Sequence, residues 1–331
     1  MQSYNLGIDL GYANIKIVGD IIRRTFPTVA GTPEESSFTL SGKAYVFQIE
    51  YEDRIYNIGH SAVDHSRQAT RREDRGWLDS TSYMVFLHAA LSEIQKEGTF
   101  EAIILTGLPV SFYELDKNKI KQRFEGIHHI KRDKNNTLTV NVTKCIVIPQ
   151  PMGTLANVAL SDEGKVADGK IFVGRIGVID IGGKTTNLLH ALKMGDIERE
   201  TQSLNVGAWD AVRAMRPHIE KMCPDVGYLD HEISDAIVKN HIRYKGSDKD
   251  LSEVAKGVLD PIAERIVAKA KELWPGEGAR LDTILLSGGG ALLLADRIQE
   301  QIQHDDIRLV DDAVFSNANG YYKMAQFMSE K

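Results

Sequence analysis

The sequence predicts an α/β protein built as two related lobes around a cleft, and three glycine-bearing stretches carry the prediction. Two are hairpins with a carboxylate at the bend. Residues 176–190 run as an apolar strand to Ile181, turn at Gly182 and Gly183, pass Lys184, Thr185 and Thr186, and resume as a strand at Asn187. Residues 6–19 repeat the pattern: Ile8-Asp9-Leu10-Gly11, a few small or polar residues, then Ile15-Lys16-Ile17-Val18. Asp9 and Asp180 align, about half the chain apart. The third stretch leads from apolar residues 281–286 through Ser287 into Gly288-Gly289-Gly290, then a helical run from Ala291 to about Gln303.

Glycines at a bend let backbone N–H groups converge on an anion, and a neighbouring carboxylate can hold the metal that accompanies phosphate. One such hairpin alone is equally an ordinary turn. A second copy half a chain away points to two domains, each offering a phosphate-facing bend to a shared cleft. A P-loop would end in a helix and have more glycines; Gly183-Lys184-Thr185 supplies only its tail. A dinucleotide fingerprint also needs a helix after its glycines, and here a strand follows. The triple glycine opens a helix, as a nucleotide site would, or is a loop needing positive φ.

The elements follow in order. Strands are expected at Tyr4–Asp9, Asn14–Val18 and near Arg24–Val29. Residues 30–75 are polar and turn-rich, with strand-like Ala44–Ile49 and Arg54–Ile58, which suits an inserted small subdomain; the charged run from Arg71 to Arg75 suits a solvated loop. Ser82–Lys96 carries a helical apolar face, Ala102–Leu105 is a buried parallel strand, and Tyr113–Phe124 is a helix. His128 to Arg132 has neither metal spacing nor interleaved aromatics, and is expected as an exposed loop. Strands at Leu138–Val142 and Lys144–Ile148 lead to a linking helix at Met152–Leu160, then a surface loop to Gly169. Helices are expected at Ala208–Met222, Leu229–Lys239 and Leu251–Trp274, the last interrupted where Asp260-Pro261 suits an N-cap followed by proline. Pro275-Gly276-Glu277-Gly278 ends it, and a C-terminal segment from Asn317 is expected to return to the first domain.

Length and composition suit two domains with ordinary cores: 331 residues, 42% hydrophobic and 26% charged. A net charge of −6 disfavours direct nucleic-acid binding. Cys145 and Cys223 form no CxxC pair and suit reduced, buried thiols. No leader and no apolar run of bilayer length is evident, so no membrane association and a cytoplasmic location are expected.

With these motifs in this order, the sequence resembles the superfamily of actin, the heat-shock chaperones and the sugar kinases. Asp9-Leu10-Gly11 and Asp180-Ile181-Gly182-Gly183 look like its two phosphate segments, Ser287 to Gly290 like its adenosine segment, and Ile146 to Leu155 like its connecting segment. Within it, Thr106-Gly107-Leu108-Pro109, Gln150 to Leu155 and Phe315 to Tyr321 are most similar to the plasmid-partition actins of the ParM/StbA family and their archaeal relatives. The resemblance implies a two-lobed, actin-like (ribonuclease H-like) α/β fold. Its domain I would span 1–158 with an insert at about 30–76, and domain II 159–314 with a helical insert at about 208–277. Residues 315–331 would return to domain I.

The resemblance also implies chemistry: Mg2+-dependent hydrolysis of ATP, or of GTP. Asp9 and Asp180 would hold Mg2+ through its water shell. Gly11, Tyr12, Asn14, Gly182, Gly183, Lys184 and Thr185 would surround the phosphates, and Lys16 would contact them unless it is merely an exposed strand lysine. Gln150 falls where the superfamily orients the attacking water; a neutral amide positions rather than abstracts a proton, which implies slow turnover. Its alternative is a turn glutamine between two prolines. Gly288, Gly289 and Gly290 would underlie base and ribose, with the region after Gly207 contributing ribose contacts. The implied function is a polymerising ATPase: a head-to-tail homopolymer that moves DNA through a DNA-binding adaptor protein. Its competitors are a small-molecule kinase, for which no catalytic acid beyond Asp9 is evident, and a non-polymerising cell-division or pilus scaffold.

Overall fold

The computed structural model describes residues 2–33, 46–70, 75–133 and 136–329. Its frame is two sheets that repeat one strand order. In the first, Ile22–Pro27, Asn14–Gly19, Ser3–Leu10, Gly98–Leu108 and Asn136–Pro149 lie side by side. In the second, Gly195–Asp196, Thr186–Leu192, Arg175–Ile181, Thr283–Ser287 and Ile307–Leu309 take the corresponding places. Each begins with an antiparallel hairpin, whose first strand then runs parallel to the two strands beyond it. The duplicated sequence pattern is therefore a duplicated topology. The first sheet continues past this unit through Gly126–Arg132, Gln48–Tyr51, Arg54–Ile58, Ala30–Pro33 and Ser66–Thr70.

Side chains alternate across a strand, so Asn5, Gly7 and Asp9 share one face of the first sheet, and Ile176, Val178 and Asp180 one face of the second. The same two helices, Pro151–Ala159 and Ser316–Ser329, cover both faces. Asn5 donates to the Gln326 side chain at 2.6 Å. Gly7 lies so near the C-terminal helix that a Cβ there would meet the Ala318 carbonyl oxygen at 2.1 Å. On the other side, Leu155 and Ala156 share a core with Ile176, Val178 and Leu285. The opposite face of the second sheet, with Ile179, Ile181, Ile284 and Leu286, packs on the helices Ala208–Met222, Ser252–Leu273 and Ala291–Gln301. The layer between the sheets is thus two helices thick, and both aspartates point into it.

Four expectations need correction. Residues His128 to Arg132 are not an exposed loop but most of a strand, Gly126–Arg132, with His128, Ile130 and Arg132 buried. Two of the three inward residues are polar, so the alternation carried no hydrophobic signal. Arg132 is held there by the Ser92 carbonyl (2.6 Å) and Glu93 (2.7 Å). Pro261 does not start a helix: Ser252–Leu273 is continuous, because Ala255, Leu259, Ile262, Ile266 and Ala270 keep one buried stripe while Pro261 faces solvent. Asp260 binds Arg297 (2.9 Å) instead of capping. The helical insert also contains a hairpin, His241–Tyr244 with Ser247–Asp250, in a charged stretch without strand patterning. The two strands expected at 138–148 are one strand with an irregularity between Val142 and Lys144. Ala44 and Tyr45 of the strand expected there, and the charged run at 71–74, lie outside the described residues.

The buried strand creates an acid-sensitive pair. The His128 Nε2–H donates to the Phe124 carbonyl (2.8 Å), which leaves its Nδ1 to accept from His88 Nε2 at 3.3 Å. Among the described residues His88 Nδ1 has no partner. Burial first, and the neighbouring His128 second, push the His88 pKa down to about 3. Below pH 6.5 the unfolded chain takes up a proton that the folded one refuses, so stability is lost as pH falls from 6.5 toward 3, by up to about 1.4 kcal/mol per pH unit. Melting curves between pH 7 and pH 4.5 are expected to show a shallower loss for His88→Phe than for the wild type; parallel curves would exclude the pair as the cause.

Candidate nucleotide site

Both aspartates end a central strand at its carboxyl end, where ligands of open α/β sheets bind. Between the lobes lies a cleft of about 1280 Å³ whose lining includes Asp9, Gly11, Tyr12, Asn14, Lys16, Gln150, Asp180, Gly182, Gly183, Thr185 and Gly288 to Gly290. The two bends approach closely: a Cβ on Gly183 would lie 2.9 Å from the Ala13 Cβ of the opposite hairpin. Lys184 stands at the junction, its ammonium 5.3 Å from the centre of the Tyr12 ring. Gly207 is buried beneath the second bend, where a Cβ would meet the Gly183 carbonyl oxygen at 2.5 Å. The next two N–H groups, of Ala208 and Trp209, donate to the carbonyls of Gly182 and Gly183 (3.0 and 2.8 Å). Gly207 thus supports the bend and does not line the cleft.

The two carboxylates are each about 2% exposed and are held differently. Asp9 pairs with Lys16, its cross-strand neighbour, at 2.9 Å, and accepts from Gln150 Nε2 at 3.1 Å. Among the described residues Asp180 has no cation partner at hydrogen-bond distance; it accepts from Asn317 (3.0 Å) and Ser287 (3.4 Å). Burial above all, with the Asp9 charge adding, pushes its pKa up to about 6 against the hydrogen bond from Asn317. Thr154 ties this group together: its hydroxyl donates to Ser287 (2.8 Å) and its backbone N–H to Asn317 Oδ1 (3.1 Å). Gly288, at φ +86°, passes over Asp180 so closely that a Cβ would stand 2.7 Å from Oδ1. Gly289 faces open space.

Gln150 precedes the linking helix, and its side chain reaches across the cleft floor from Asp9 to Asn187 of the second lobe, whose Nδ2 lies 3.4 Å from Oε1. Its carbonyl accepts from Tyr321 at 3.1 Å. Tyr321 is wholly buried, and the charges of both aspartates add to burial in raising its pKa. It fits because Gly107 and Gly153 lack side chains: a Cβ on either would fall within 2.5 Å of the tyrosine.

Sequence reasoning gave no side-chain role to Asn187, Asn317, Thr154 or Ser287, and reached the outer wall only as the region after Gly207 and the helical insert. That wall comprises Trp209, Val212, Arg216, residues 227–231, Ser234 and Asp235, with Arg216 bound to the Tyr228 carbonyl at 2.7 Å. Asn187 alone left a trace, a polar residue inside a buried strand. Among the described residues, no cluster of three or more His, Cys, Asp or Glu side chains could cage a metal. Two buried carboxylates with one lysine between them do suit Mg2+, which binds few protein ligands and fills its shell with water and phosphate oxygens.

Comparison with known proteins agrees with this geometry. Residues 7–153 match the family of actin like proteins, N-terminal domain, and residues 178–300 match the archaeal actin homologue MreB-like C-terminal family. An archaeal actin homolog of Thermoplasma volcanium is 26% identical over 97% of this chain and 98% of its own. The crystal structure of an archaeal actin homolog superposes with a TM-score of 0.81 at 22% identity, over 98% of this chain and 99% of that one. That homolog has also been solved in complex with ADP (TM-score 0.77, 23% identity, 98% and 99% covered). A 15-stranded ParM filament from Clostridium botulinum matches at 0.76 and 21% identity, again over 98% and 99%. These structural likenesses, all under 25% identity, establish the fold. With its halves matched in order by domain models of actin-like proteins and its two-lobed architecture shared from end to end, the chain has the actin-like fold.

Proposed function

We propose that the protein is a nucleoside triphosphatase that binds ATP, or GTP, with Mg2+ and assembles head to tail into filaments. The observation that carries this reading is the pair of buried carboxylates, one at each lobe's bend, facing one cleft with the Gln150 amide between them. Backbone N–H groups at Gly11, Tyr12, Gly183 and Lys184 would cradle the phosphates, with Gly182, whose N–H donates to the Thr185 carbonyl (2.8 Å), closing the bend, Asn14 and Thr185 beside them and Lys16 supplying charge. Gly288, Gly289 and Gly290 would underlie the nucleoside. Asp9 and Asp180 would hold Mg2+ through its waters, and the ion, when bound, neutralises phosphate charge. Gln150 orients a water: its oxygen bonds to the γ-phosphorus as the bridging P–O bond breaks, the diphosphate leaves, and the proton passes to phosphate or solvent.

Nucleotide bridging both lobes favours their closed arrangement, and hydrolysis removes that bridge. A repeated head-to-tail contact whose rotation does not close gives a filament, as in the ParM relative. We place it in the cytoplasm, moving DNA through an adaptor, since the net charge of −6 disfavours direct contact. Among the described residues no helix is long and apolar enough to cross a membrane.

Two measurements test the reading. Sedimentation is expected to pellet the protein with Mg2+ and ATP or GTP but not without nucleotide; nucleoside diphosphate release that needs an added sugar or alcohol, which takes up the phosphoryl group, with no pelleting, would mark a kinase instead. Gln150→Ala is expected to slow hydrolysis by about a hundredfold with nucleotide affinity unchanged; an equal loss of affinity would make Gln150 structural.

A further inference from the structure

The helix Val110–Phe124 starts without a cap of its own, because Pro109 precedes it and supplies no side-chain acceptor. Its first N–H groups are met from the other lobe. Val110 donates to Asn187 Oδ1 at 3.3 Å and Ser111 to Ser203 Oγ at 3.2 Å. A backbone N–H can only donate, so the Asn187 atom facing Val110 is its oxygen. Ser203 spends its own proton on that same oxygen, at 2.6 Å. Two donors on Oδ1 turn the Asn187 amine toward Gln150, whose Oε1 accepts at 3.4 Å. At the far end, an Asp9 oxygen that can only accept takes Gln150 Nε2 at 3.1 Å.

We infer that Ser203 is a positioning residue for hydrolysis, acting through Asn187 to fix which end of the Gln150 amide meets the reacting water; this rests on the hydrolysis reading above. The line Ser203–Asn187–Gln150–Asp9 has a single polarity, set by a hydroxyl and a backbone donor at one end and a carboxylate at the other. In that polarity Gln150 Oε1 keeps a lone pair for a water O–H, and the water's own lone pair stays free to attack. A flipped amide would donate to the attacking lone pair. The 3.4 Å contact is the longest in the line, so it depends most on Asn187 being held. Ser203 makes the shortest, a cross-strand contact inside the second lobe, while the Val110 N–H brings a second donor to the same oxygen from the first lobe. Orientation of the catalytic amide therefore draws on both lobes.

Steady-state hydrolysis by the full chain tests this. Ser203→Ala is expected to lower kcat about tenfold, the worth of one well-made hydrogen bond, with KM for nucleotide within about twofold of wild type. Ser203→Thr, which keeps the hydroxyl, is expected to restore most of the rate. Ser111→Ala is expected to turn over near the wild-type rate, because it loosens the lobe contact (Ser203 N–H to Ser111 Oγ, 3.3 Å) without touching the amide line. In a Gln150→Ala background, Ser203→Ala should cost nothing further. Full turnover in Ser203→Ala, an equal loss in Ser111→Ala, or a persisting loss without Gln150 would each overturn the assignment. Absence of any nucleotide hydrolysis by the wild type would instead sink the hydrolysis reading itself, and the two failures are separable.

Discussion

Asp180→Asn is expected to hydrolyse nucleotide roughly a thousandfold more slowly than the wild type while melting at a higher temperature above pH 6. Both effects come from one buried charge. The folded-state pKa of Asp180 is raised to about 6 from 3.8, chiefly by burial. Below pH 3.8 the carboxyl is protonated folded or unfolded, and burial costs nothing. Between 3.8 and 6 the unfolded chain ionises first, and above 6 the folded protein carries the full penalty, on the order of 3 kcal/mol. Asparagine removes the charge and keeps the hydrogen bonds: its oxygen can accept from Asn317 and its amine can donate to Ser287, which already accepts from Thr154. Melting temperatures measured from pH 4 to pH 8 should diverge as pH rises and coincide near pH 4. Added nucleotide with Mg2+ should stabilise the wild type more than the variant, since only the former offers the ion two carboxylates. Wild-type turnover in the variant removes Asp180 from the chemistry. Superimposable melting curves at pH 8 would show that its burial stores no cost.

That trade of stability against function also marks which parts of the site the sequence could disclose. Asp9 and Asp180 sit in local patterns, strand, carboxylate and glycine turn, and the pattern occurs twice, so they were legible without knowing what lies across the cleft. The residues that hold them were not. Asn317 reaches Asp180, and Tyr321 reaches the Gln150 carbonyl, from the far end of the chain, and nothing near either residue announces a partner. Ser203 and Asn187 act on a helix start contributed by the other lobe, a relation visible only once both lobes are in place. In the fold, helices and strands with a clean apolar period were legible, as at Ala208–Met222. The failures were elements whose inward side chains are polar but satisfied. His128 and Arg132 are buried because Phe124, His88, Ser92 and Glu93 await them, and periodicity counts only hydrophobes. Pro261 misleads for the opposite reason: one local breaker cannot outvote a buried stripe that runs through both sides of it.

The C-terminal helix supplies the sharpest conflict between local preference and packing. Alanine is favoured over glycine in a helix interior by about 1 kcal/mol. Gly257 and Gly320 both lie within helices, Ser252–Leu273 and Ser316–Ser329. At Gly257 a Cβ would meet nothing within 4 Å, whereas at Gly320 it would stand 1.6 Å from the Gly153 carbonyl oxygen. Gly257→Ala is therefore expected to stabilise the protein by about 1 kcal/mol. Gly320→Ala is expected to destabilise it by about 1–3 kcal/mol, because the two helices must part and neither backbone can yield locally. The parting has a functional cost as well. The same helix carries Asn317 to Asp180 and Tyr321 to the Gln150 carbonyl, so hydrolysis by Gly320→Ala should fall even at temperatures where the protein stays folded. Thermal melts of the two variants side by side, with hydrolysis assayed well below both transitions, decide the matter. A stabilising Gly320→Ala would mean the helices do not approach to backbone contact. A destabilised variant with full activity would detach the C-terminal helix from the site.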